Sequence, residues 1–240
     1  MAKINRKNKA KITDIERERY HGPLITDGVS LVYIKLYPWI GLALSGFMYL
    51  VGSYEDNLGI FKGISLFCGV VNILGVIISF IPYLVNAWKA LIYYLIALTV
   101  LSLVIGLDFI GLLMVISDGS PIGAKEIYQS PLTPFYVIFI LLLFIFTCGL
   151  YAWYYLPKNQ GKVWAFNQVK GGSRKKTWWN NFAIAFAGAT IIPALLTGYI
   201  QIAFGVLLGI LFTLTLPAVI ADAIYAAIYI KKHPDSDELV

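Results

Sequence analysis

Charged side chains are scarce in this sequence: Asp, Glu, Lys and Arg make up 13% of its 240 residues. Ordinary soluble domains carry about 25%, because their surface must stay wet. With 59% hydrophobic residues, a water-soluble globular fold is excluded, and lipid is the solvent that suits the surface. Histidine is nearly absent. The two present, His21 and His233, sit one in each polar tail, so neither a Ser–His pair nor an HExxH zinc site can form inside the apolar runs. Cys68 and Cys148, the two cysteines, lie within apolar runs. They give no secreted disulfide framework and no metal-ligand spacing, and read as small buried hydrophobes. A Walker-type phosphate loop is missing, as are the acidic clusters that hold a metal and a diphosphate. No catalytic residue, metal or cofactor is therefore expected, and the chain reads as non-enzymatic.

What is present is length of apolar run. An α-helix rises about 1.5 Å per residue, so about 20 residues cross a hydrocarbon core of about 30 Å. The runs predict an all-α integral membrane protein with six transmembrane helices, at about 31–51, 63–85, 90–116, 135–156, 182–197 and 202–230. The last two share one stretch with no charged residue between Lys176 and Asp222. The polar, helix-weakening segment Thr197-Gly198-Tyr199-Ile200-Gln201 marks the turn between them. The predicted organisation is a basic cytoplasmic segment, 1–30, a single membrane domain, 31–230, and a cytoplasmic tail, 231–240. Residues 31–51 are too long for a signal-peptide core and are followed by no small-x-small cleavage site, so they read as an uncleaved first span.

Charge sets the orientation. The net charge of +6 would suit nucleic acid, but the positive residues fall in short segments between apolar runs, where cytoplasmic loops carry them. Six spans put one group of positive residues on the inner side: the seven in 1–30, Lys89, the six in 158–181, and Lys231 with Lys232. The outer loops keep only Lys62 and Lys125. Both termini are therefore expected in the cytoplasm of a bacterial-type plasma membrane. Trp88, Trp153, Trp178 and Trp179 fall at the predicted inner boundaries, where amphipathic rings settle. The basic 158–181 loop is accounted for by anionic headgroups.

Three ionisable residues lie inside apolar runs, and charge within a bilayer is costly enough to make each a functional candidate. Lys35 and Asp222 both belong by depth to the cytoplasmic leaflet, so an ion pair fastening the first span to the last is expected, with Tyr225 and Tyr229 on the same helix face as hydrogen-bond donors to Asp222. The alternative is that Lys35 snorkels to the headgroups. Asp108 is placed in the outer half of the third span, with no charged helical neighbour. Asn72, in the second span, is expected to bond to a neighbouring helix.

Small residues at Gly41 and Ser45, and at Gly205 and Gly209, are spaced to let helices approach closely. Pro193 and Pro217 remove backbone donors inside spans and mark helix breaks, Pro193 with Thr190 and Thr197 being the pattern from which transporters build midplane sites.

Two functions compete on these features. The first is binding of a protein partner, as an accessory subunit or a toxin-immunity protein, for which the short outer loops and the lack of a catalytic set speak. The alternative is a small-solute transporter, or the permease or substrate-binding membrane subunit of one. It predicts that Asp108, Asn72 or Asp222 lines a cavity.

Overall fold

The computed structural model describes residues 29–53, 59–117, 124–156, 159 and 199–232, and among these every regular element is helical. A 3-10 turn, Leu31–Lys35, capped by the Ser30 side chain, leads into α1 (Tyr37–Val51). There follow α2 (Ile60–Ser79), the short α3 (Pro82–Ala87), α4 (Lys89–Ile116), the short α5 (Ala124–Gln129), α6 (Leu132–Tyr155) and α7 (Ile200–Lys232). Four of them, α2, α4, α6 and α7, are long and apolar enough to cross a bilayer, while α1 is apolar but shorter. The chain is a helical membrane protein. The predicted fifth span, 182–197, with Pro193 and Thr190, lies outside the described residues, as do Trp178 and Trp179.

Proline punctuates the second predicted span. Pro82 has no N–H to continue a helix and pushes the residue before it out of the helical region; Ile81 sits at φ −114°, ψ 80°. The helix begun at Ile60 therefore stops at Ser79, and Pro82 opens α3 from its first turn, where a missing N–H costs nothing. Pro38 occupies the same tolerated place in α1. Pro217 does not: it lies in the interior of the 33-residue α7.

α4 is the central helix, buried along most of its length, and α7 packs along it more extensively than any other element. The two run antiparallel, with Gly111 against Gly205 and Asp108 against Thr213. Glycine permits the approach. A Cβ on Gly205 would stand 2.6 Å from the carbonyl oxygen of Gly111, and one on Gly209 would run into the Tyr136 hydroxyl. Both glycines thus serve packing within this chain. α1 and α2 pair antiparallel on another side of α4, with Gly75 fitted against Pro38. α6 buries only Thr133, Tyr136, Ile140 and Thr147, a single stripe at helical spacing. Much of its remaining surface, including Phe135 and Phe146, is exposed and apolar, which suits contact with lipid.

Candidate intramembrane site

Two polar clusters lie inside the bundle, each built around a residue that lipid would reject on its own. In the first, Asn72 on α2 is fully buried. Its amide nitrogen donates to Ser102 Oγ on α4 at 2.7 Å and to its own helix at Cys68 O at 2.8 Å, with Ser45 Oγ on α1 at 3.4 Å. The serine protons are already placed, Ser45 on Gly41 O and Ser102 on Thr99 O, so both hydroxyls face Asn72 as acceptors. The amide oxygen of Asn72 has no hydrogen-bond partner. It abuts Gly41, where a Cβ would collide with it, so a Cα–H of Gly41 points at that oxygen and supplies a weak contact. Gly41, Ser45, Asn72 and Ser102 together tie α1, α2 and α4.

The second cluster centres on Asp108, 8% exposed on α4. Its one hydrogen-bond donor is the Thr213 hydroxyl of α7, at 3.1 and 3.3 Å from the two carboxyl oxygens. Thr213 stands four residues before Pro217, so its carbonyl is the one that loses its intrahelical N–H partner to the proline ring. Thr147 of α6 fills the gap: its Oγ1 lies 3.0 Å from Thr213 O. The same hydroxyl is also within range of Leu143 O and Phe144 O. Those carbonyls have N–H donors one turn on in α6, so the orphaned Thr213 oxygen has the strongest claim on the single proton. One turn further along α6, Tyr151 donates to Leu214 O at 2.6 Å, and Tyr225 of α7 donates back to Ala152 O at 3.1 Å. α6 is thus stitched to α7 on both sides of Pro217 by hydroxyl-to-carbonyl bonds, and α7 continues through the proline where the sequence predicts a helix break.

Asp108 also lines a half-open cavity of about 290 Å³ between α1, α2, α4 and α6. Met48, Ile64, Leu101 and Leu112 contribute apolar walls, and Phe61, Phe109, Tyr136 and Phe144 contribute rings. Among the described lining residues Asp108 is the only charged one.

The remaining candidates fall elsewhere. Asp222 is buried on α7, and its carboxylate accepts the backbone N–H of Val29 at 2.6 Å, holding the residues before the 3-10 turn against the helix. Lys35 points outward and is exposed; no ion pair joins it to Asp222. The two share a depth but not a direction. Tyr225, expected to donate to Asp222, donates to Ala152. Among the described residues no three His, Cys, Asp or Glu side chains come together as a metal site.

Sequence reasoning passed over Thr213, Thr147, Tyr151 and Ser102. For Thr213 a signal existed, since counting four back from Pro217 lands on it; for Thr147 there was none, because only the docking of α6 gives it a task. No family model matches this sequence, and no curated protein or solved structure matches it.

Proposed function

We propose that this chain is a six-span plasma-membrane protein with both termini cytoplasmic, and that it binds a small solute inside the membrane at Asp108, in the manner of a permease or a substrate-binding membrane subunit. The observation that carries the reading is that Asp108, whose buried carboxyl has one neutral donor, is a lining residue of a cavity between the helices. A charged residue at the centre of a membrane helix costs about 2.5 to 3.5 kcal/mol on insertion scales, a penalty that shrinks but persists toward the outer half where Asp108 lies, and Asp108 makes no contact among helices that a threonine or asparagine would not make more cheaply.

Six spans are supported from two directions. The positive residues sort as the alternating topology requires. In addition, α6 and α7 run parallel, since the partners Thr147 with Thr213, Tyr151 with Leu214, and Ala152 with Tyr225 rise together in number. Two parallel helices in sequence need a return crossing between them, and 182–197 is the apolar stretch available for it.

The competing reading, a partner-binding accessory or immunity protein, puts function on outward surfaces and leaves Asp108 idle. Native mass spectrometry of protein purified in gentle detergent separates the two. A small-molecule adduct on the wild-type chain, absent from Asp108→Asn, is expected. A stoichiometric second polypeptide on both forms, with no adduct on either, would transfer the function to the surface.

A further inference from the structure

We infer that the Asp108 cavity selects a lipophilic organic cation: an ammonium or a similar positive group carried on an apolar, preferably aromatic, body. The inference rests on the solute-site reading above and adds the ligand's chemistry to it.

Three observations converge. First, the carboxyl is short of donors. Two oxygens offer about four acceptor positions, and the protein supplies one hydroxyl proton shared between them. Second, among the described residues no basic side chain lines the cavity. A carboxyl in a low-dielectric interior takes its neutralising charge from a proton or from a cation, and a cationic ligand can displace the proton there. Third, the walls are hydrocarbon and aromatic. Phe61, Phe109, Tyr136 and Phe144 offer ring faces, whose quadrupole attracts a cation as well as apolar groups. Apolar walls reject a hydrated metal ion or a sugar, and the lone carboxylate repels an anion. At about 290 Å³ the space lies at the lower end of the range for small-molecule sites, roughly 300 to 1,000 Å³, which suits a compact amine and not a whole phospholipid.

The test uses the full chain in nanodiscs of zwitterionic lipid, so that no anionic surface draws cations to the membrane. Binding of benzyltrimethylammonium, whose charge is fixed, is followed by ligand-observed NMR against empty nanodiscs. Neopentylbenzene, its neutral carbon isostere, is measured in parallel. The wild type is expected to bind the cation saturably and at least about tenfold tighter than the isostere, with Asp108→Asn removing that preference. Ile64→Trp, which fills the cavity from α2 and leaves Asp108 in place, is expected to abolish binding of both probes and carries the test should Asp108→Asn fail to fold. If the isostere binds as tightly as the cation, or Asp108→Asn binds the cation unchanged, the cationic class is wrong while the cavity remains a solute site. If neither probe binds above empty nanodiscs, both the class and the solute-site reading fall.

Discussion

The hydroxyl of Thr147 on α6 lies 3.0 Å from the carbonyl oxygen of Thr213 on α7, the carbonyl that Pro217 deprives of its own helix donor. In water such a carbonyl would be solvated; in hydrocarbon it has to find a donor from a neighbouring helix. Thr213 also turns its hydroxyl to Asp108, so the carbonyl freed by Pro217, the interhelical bond and the buried carboxyl meet in one residue.

This arrangement predicts a specific non-additivity. Thr147→Val should destabilise the protein by about 0.6 to 1.7 kcal/mol, from the average to the maximum measured for hydrogen bonds between membrane helices. In a Pro217→Ala background the new N–H at 217 serves Thr213, and the cost of Thr147→Val should fall to a few tenths of a kcal/mol. Reversible unfolding of the four proteins in mixed micelles measures the cycle. Equal costs in the two backgrounds would show that Thr147 does not serve the freed carbonyl.

The four long apolar helices and the buried polar residues were legible because lipid makes them so: long uncharged runs announce helices, and Asn72, Asp108 and Asp222 stand out as residues that hydrocarbon penalises. Their partners were not legible. Helical rise gives the depth of a side chain but not which way it faces, so Lys35 and Asp222 look matched in the sequence and point apart in the fold. Thr213 and Thr147 are unremarkable threonines until Pro217 removes a donor and α6 docks beside it. Pro82 was passed over in the same way: the second span is expected to run to about residue 85, but the proline ends α2 at Ser79 inside a run whose hydrophobicity continues.

The α1–α2 contact yields a paired prediction. A methyl at Gly41 collides with the Asn72 amide, which Ser102 holds in place, so Gly41→Ala should cost about 1 to 3 kcal/mol. Gly46, five residues on in the same helix, has open space around it. Gly46→Ala should be neutral or stabilising by up to about 1 kcal/mol through helix propensity. Thermal unfolding in detergent compares them, and similar effects at the two positions would contradict the close approach at Asn72.

Asp222 is predicted to act as a tether. Asp222→Ala removes the acceptor of the Val29 N–H and should speed amide exchange at Val29, with earlier proteolysis ahead of the 3-10 turn. Lys35→Met should leave both unchanged, because the Lys35 side chain is exposed and takes no part in holding Asp222. Faster exchange at Val29 in Lys35→Met would restore a role for the lysine.

The whole arrangement around Asp108 requires α6 and α7 to pass through lipid in the same direction. Compartment-specific reporters placed at residues 120, 170 and 240, either side of these helices, read this directly. The account predicts residues 170 and 240 on one face of the membrane and residue 120 on the other; residues 170 and 240 on opposite faces would contradict it.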